Sequence, residues 1–116
     1  MSNQKATVIV FKSYGMGETT NQPLREKLAG TFLRLLNEFD DLPRAICFYT
    51  DGVKLVCEGS PVLAELRALE ARGVALVICK TCLDTFGLAE QVRVGVIGGM
   101  SDILSAMWMA DKVISL

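Results

Sequence analysis

The chain has 116 residues, of which 51% are hydrophobic and 22% charged, which is the size of one domain and too apolar for intrinsic disorder. Twelve Lys and Arg against thirteen Asp and Glu leave a formal charge of -1, with no basic face of the kind that nucleic acid requires. Histidine is absent, which removes the usual general base, the commonest metal ligand and the middle member of hydrolase triads.

The run Thr7-Val8-Ile9-Val10-Phe11 is β-branched and aromatic and predicts a first strand ending near Lys12. A glycine-containing loop, Ser13-Tyr14-Gly15-Met16-Gly17-Glu18, follows it. From Thr20, with Pro23 early and Leu24, Leu28, Phe32 and Leu35 at helical spacing, an amphipathic helix is expected to about Glu38. Ala45-Ile46-Cys47-Phe48-Tyr49 reads as a second strand, and Asp51-Gly52 before Val53-Lys54-Leu55-Val56 as a projecting hairpin. Ser60-Pro61 starts a second helix with Leu63, Leu66 and Leu69 as its buried stripe, and Gly73 stands where a left-handed cap would end it.

Val74-Ala75-Leu76-Val77-Ile78-Cys79 has no polar alternation, as in a parallel strand covered on both faces, and is expected at the sheet centre. A helical turn from Thr81 to Phe86 stopping at Gly87, a strand at Val94-Gly95-Val96, a helix from Ser101 to Ala110 and a strand from Val113 to Leu116 complete the chain. This alternation predicts a single three-layer α/β/α domain over residues 1–116 with a mainly parallel sheet and right-handed crossovers. In such sheets reactive groups gather beyond the carboxyl ends of the strands. The apolar runs are far shorter than the roughly 18 residues of a membrane span. With a start at Met-Ser-Asn-Gln-Lys that runs into a strand, a cytoplasmic protein is expected.

Cys79-Lys80-Thr81-Cys82 is a C-x-x-C at the junction of a strand and a helical turn, beside backbone N–H groups that favour an anion. A thiolate or persulfide at Cys79 should be stabilised there, with Lys80 adding positive charge and the pKa lowered. Residues three apart in a helical turn lie close, so the two thiols can form a disulfide or pass a sulfur atom between them, and neither step needs histidine. Cys47, inside an apolar strand, reads as packing, and Cys57 as structural. A single C-x-x-C with Cys47 and Cys57 too far apart for a second close pair argues against zinc, and no cofactor is expected. The glycine loop is a weak phosphate-cradle signal and reads first as a turn, with Lys12 and Glu18 as groups that would tune a nearby thiol. Met100, Met107, Trp108 and Met109 read as core or oligomer packing, and a mean hydropathy of +0.37 points the same way.

Taken in order, Gly52-Val53-Lys54-Leu55, Gly59-Ser60, Val62-Leu63, Leu69-Glu70 and Gly73-Val74 resemble the DsrE/TusD-like sulfur-relay superfamily, within it the C-terminal domain of YedF-type proteins. Cys79, Thr81-Cys82-Leu83-Asp84, Gly87-Leu88, Val94-Gly95, Met100, Asp102-Ile103 and Ala110-Asp111-Lys112-Val113-Ile114 continue the match. Lys80, where that branch favours glycine, and Ile97-Gly98-Gly99 before Met100 depart from it.

The resemblance implies a five-stranded α/β/α fold, a homo-oligomer (trimer or hexamer) and a sulfurtransferase-like role linked to selenium metabolism. It implies sulfane sulfur, or selenium, carried as a persulfide on Cys79, with Cys82 matching the additional cysteine of the YedF-like branch. A sulfur donor or acceptor of TusA-like kind would act in trans. Two alternatives stand beside a sulfur-relay protein: dithiol redox through Cys79 and Cys82, and a non-catalytic oligomeric binding module, in one version a flavin binder built on the first loop.

Overall fold

β-branched and aromatic runs set the strands and leucine-spaced runs the helices, and a computed structural model describes residues 3–116. Met1 and Ser2, which begin the segment expected to lead into the first strand, lie outside the described residues. The strands are β1 (Asn3–Phe11), β2 (Asp41–Phe48), β3 (Ala75–Cys79), β4 (Val96–Gly98) and β5 (Lys112–Ser115). Between them lie α1 (Gln22–Leu36), α2 (Leu63–Ala71), α3 (Lys80–Phe86) and α4 (Met100–Trp108), with 3-10 segments at Thr50–Val56 and Ala89–Gln91. The sheet order is β4-β3-β2-β1-β5, and every neighbouring pair is parallel.

Helices cover both faces, as the alternation of strand and helix predicted. Register places Ile114, Ile9, Ile46 and Leu76 in one row, and Ile9 and Ile114 border a groove with Phe32 and Leu35 of α1. Side chains alternate across a strand, so Val77 faces the other way. There a β-carbon at Gly98 would stand 3.1 Å from Val77 and 2.9 Å from Asp102 of α4. On the α1 side Phe11 stacks on its register partner Phe48, centroids 5.8 Å apart, and meets Phe32 edge-on at 6.4 Å. Such pairs contribute roughly 0.5–1.5 kcal/mol each beyond their buried area.

Local chemistry explains the element ends. Asn21 accepts the Leu24 N–H at 3.1 Å and caps α1, with Pro23 in its first turn. Gly73 adopts φ 96, its N–H reaches Glu70 O, and the Val74 N–H reaches Leu69 O, so the left-handed cap read from the sequence forms. α3 stops in the same way at Gly87, φ 68.

Three expectations need correction. Residues 50–56 form a 3-10 segment, not a hairpin: Val53, Leu55 and Val56 are all buried, and Asp51 pairs with Lys54 one turn on at 2.9 Å. Gly52 is there for close approach, because a β-carbon on it would overlap the Phe11 carbonyl. The middle of the sheet is β2, and β3 lies one place outward between β2 and β4; an apolar run reports two covered faces, which both strands have. The fourth strand begins at Val96, since Gly95 turns the chain at φ 83 against the backbone of Leu76.

The connections β1 to β4 step one way across the sheet and β4 to β5 steps back. With right-handed crossovers α1, α2 and α3 share one face and α4 takes the other. The chain therefore leaves β3 and β4 toward opposite faces, opening a crevice of the kind where such sheets bind ligands. Cys79 and Gly98 are register partners at its edge. Gly52→Ala should lower stability by about 1–3 kcal/mol or more, as overpacking against backbone does. Gly30→Ala in α1, whose added carbon would meet only Val62 at 3.9 Å, should leave stability unchanged or raise it; urea midpoints of the two variants check the contrast.

Candidate functional site

Cys79 is the last residue of β3 and the cap position of α3, so the strand passes into the helix with no loop between. Its side chain is 1% exposed and makes no capping hydrogen bond to the helix it starts. Cys82 lies in the first turn of α3 and is half-buried. The donor expected at the helix start comes from elsewhere: the Thr50 N–H points at Cys82 Sγ, 3.1 Å away. Burial pushes the Cys82 thiol above its ordinary range, the Thr50 amide draws it down, and the neighbouring Cys79 pushes it up again.

Thr50 was not singled out by the sequence, and its backbone is the unusual feature of the site. At φ 48 it is the one non-glycine residue with positive φ among the described residues. For a β-branched side chain that conformation costs on the order of 1–3 kcal/mol. It is held by its hydroxyl, 2.5 Å from Lys12 O and 2.7 Å from Tyr49 O, and by the Tyr49 N–H on Phe11 O at 3.2 Å. The ends of β1, β2 and β3 thus meet at one place, as the carboxyl-end rule predicts.

Two of the surrounding lysines are paired. Lys80 Nζ sits 2.6 Å from Asp84 Oδ2, so its cation is matched along the helix. Lys54 binds Asp51 and stands 4.7 Å over the Phe86 ring. Lys12 enters the site through its carbonyl, and Glu18 is exposed in the first loop. That loop folds onto α1: the Gly15 N–H reaches Ser13 O, the Met16 N–H reaches Arg25 O, and Arg25 Nε donates to Gly17 O. A β-carbon on Gly15, φ 132, would strike Arg25, so the turn reading describes the loop, and its Gly15 and Met16 amides are engaged internally.

The other cysteines stand apart. Cys47 is fully buried in β2, in register with Val10 and Val77, and burial raises its pKa to about 11. Cys57 is 3% exposed, donates through Sγ to Val53 O at 3.3 Å and bridges to Val92; burial raises its pKa against the pull of Arg93. Among the described residues no three Cys, Asp or Glu side chains gather as a metal site. A groove of about 840 Å³ opens toward the amino ends of β1, β2 and β5, lined by Phe32, Leu35, Phe39 and Ile114 and by none of the cysteines. The chemistry within reach at Cys79 and Cys82 is sulfur exchange between thiols.

Comparison with known proteins agrees with this fold. The family model of the DsrE/DsrF-like family matches residues 8–116. Among solved structures, the ychN protein of E. coli is similar over 100% of both chains, with TM-score 0.64 and 18% identity. A protein of unknown function from Methanobacterium thermoautotrophicum, MTH1491, is similar over 99% of this chain and 100% of its own, with TM-score 0.65 and 15% identity. A conserved protein of unknown function from Bacteroides thetaiotaomicron, BT1422, is similar over 96% and 95%, with TM-score 0.66 and 15% identity. No curated protein matches the chain significantly. No helix among the described residues is long and apolar enough to cross a membrane.

The Cys47 thiol gives a pH prediction. Its unfolded-state pKa is near 9.0 and its folded value about 11, so above pH 9 the unfolded chain binds fewer protons and stability falls. The stabilisation is complete below pH 9 and is lost through pH 11, at a slope approaching about 1.4 kcal/mol per pH unit. Urea midpoints between pH 8 and pH 11 should show a shallower alkaline decline in Cys47→Ala than in the wild type, whatever the variant loses in packing.

Proposed function

The chain belongs to the DsrE/DsrF-like family, and on that footing we propose that it works in sulfur relay, carrying sulfane sulfur as a persulfide on Cys79 with Cys82 beside it. The observation that most supports this reading is a pair of cysteines at the carboxyl end of β3, one in register with Gly98 of β4 and the other with a backbone amide directed at its sulfur. A persulfide anion is stabilised by N–H donors, and its formation and transfer use thiolates as nucleophile and leaving group. A chain without histidine can therefore perform both steps. The donor or acceptor is a persulfide-bearing protein of TusA-like kind that approaches the carboxyl edge of the sheet.

Exposure to a sulfane-sulfur donor followed by intact mass spectrometry should add one sulfur atom per chain, absent from the Cys79→Ser/Cys82→Ser double variant. No addition would sink the proposal. A loss of two protons requiring both cysteines would put dithiol redox in its place.

We also propose that the chain assembles with copies of itself, as a trimer or hexamer. Support comes from α4, where Met100, Leu104 and Trp108 form an exposed apolar stripe at helical spacing and Trp108 is 82% exposed. Static light scattering should give a multiple of the 12.6 kDa chain and a smaller particle for Trp108→Glu. A wild-type monomer at micromolar concentration would rule this out.

A further inference from the structure

The two sulfurs of the pair differ in what can reach them. Cys79 is 1% exposed, whereas a persulfide donor has to bring its S–S bond into line with the attacking sulfur. Cys82 is half-buried and lies one helical turn further on. The strained backbone of Thr50, fastened to Lys12 and Tyr49, delivers its N–H to Cys82 and not to Cys79. A conformation this costly at a functional edge has a use, and an accessory thiol would have no need of it.

We infer that Cys82 is the port through which sulfur reaches and leaves Cys79, the buried sulfur on which it is stored; this deepens the relay reading and rests on it. In the first step the Cys82 thiolate attacks the outer sulfur of a donor persulfide. A bond forms between Cys82 Sγ and that sulfur, the donor's S–S bond breaks, and the donor leaves as a thiolate with the electron pair. In the second step the Cys79 sulfur bonds to the same outer sulfur and the bond to Cys82 breaks. Its electron pair goes to Cys82 Sγ, and the proton of the Cys79 thiol follows it there. No oxidant or reductant enters, since one S–S bond replaces another in each step.

Negative charge returns to Cys82 Sγ as the second step proceeds, and the Thr50 N–H is already in place to receive it. The stored persulfide then lies where small thiols have little access, and delivery to an acceptor runs the two steps in reverse.

The test uses the full chain, inorganic polysulfide as the probe, and alkylation at timed intervals with mapping of the modified residue. In the wild type sulfur should be found on Cys82 before Cys79. Cys82→Ser should load Cys79 at least about tenfold more slowly, because exchange rates follow access. Cys79→Ala should hold its sulfur on Cys82 and lose it to dithiothreitol faster than the wild type does. Loading of Cys82→Ser at the wild-type rate, or sulfur on Cys79 first in the wild type, overturns the port while leaving sulfur carriage intact. A wild-type chain that takes up no sulfur ends the relay reading and the port with it. The wild-type time course stands alone should Cys79→Ala fail to fold.

Discussion

The carboxyl edge of the sheet depends on how residues 49–52 lie against the end of β1. The Tyr49 N–H reaches Phe11 O, the Thr50 hydroxyl reaches Lys12 O, and Gly52 presses its bare α-carbon onto the Phe11 carbonyl. These contacts join the ends of β1 and β2 more tightly than the ladder alone and leave Thr50 one conformation, the left-handed one. Its N–H then has a single direction, toward the first turn of α3. The strain in Thr50 persists because the packing around it is over-determined, as it must be when a conformation costs a sizeable fraction of a small domain's stability.

The second element of the arrangement is the junction of β3 and α3 without a loop. A strand that ends inside the core and becomes a helix on the next residue buries its last side chain and turns the following ones toward the surface. Cys79 and Cys82 therefore sit close together in chain and space yet in different surroundings, one sealed and one half-open. A loop of even a few residues would have let both sulfurs reach solvent. Because β3 and β4 send their helices to opposite faces, this junction also lies on the crevice where the sheet is open at its carboxyl edge.

Much of this was legible in the sequence. The apolar run ending in Cys79 and the glycine stops at Gly73 and Gly87 each carry a local physical signal and matched the element that formed; the leucine spacing marked α1 as a helix but not its buried face, which is Ala29 and Leu33 while Leu24, Leu28 and Leu35 are exposed. The region around Thr50 was not legible, for two reasons. Asp51-Gly52 serves a hairpin turn or a close backbone approach equally well, and the choice lies with Phe11, forty residues earlier in the chain. The Val53-Lys54-Leu55-Val56 pattern fits a period of two, but Val53 and Val56 also share a face at a period of three, which the 3-10 segment uses. Nothing in local propensity marks a threonine for positive φ, since β-branched residues avoid it. The difference in burial between Cys79 and Cys82 was hidden likewise, because the 3-10 segment that packs on α3 was read as a projecting hairpin.

With no histidine in the chain and Lys54 and Lys80 paired with carboxylates, the donor that faces the Cys82 sulfur is a neutral one, the Thr50 N–H. Burial holds the Cys82 thiol above its ordinary pKa, so near neutral pH the unloaded sulfur is mostly protonated and the Thr50 amide faces a weak acceptor. A persulfide is a stronger acid than the thiol from which it forms. Once sulfur is bound, the negative charge sits on the outer sulfur, beyond the Sγ at which the amide points; the amide meets an anionic partner when that outer sulfur leaves and the electron pair returns to Sγ, and a hydrogen bond to a charged acceptor is about twice as strong. The donor's geometry need not change between the thiol and the thiolate that the second step leaves behind. In the relay reading, an N–H fixed by backbone packing favours the step in which Cys82 gives up its sulfur, through the charge that returns to Sγ.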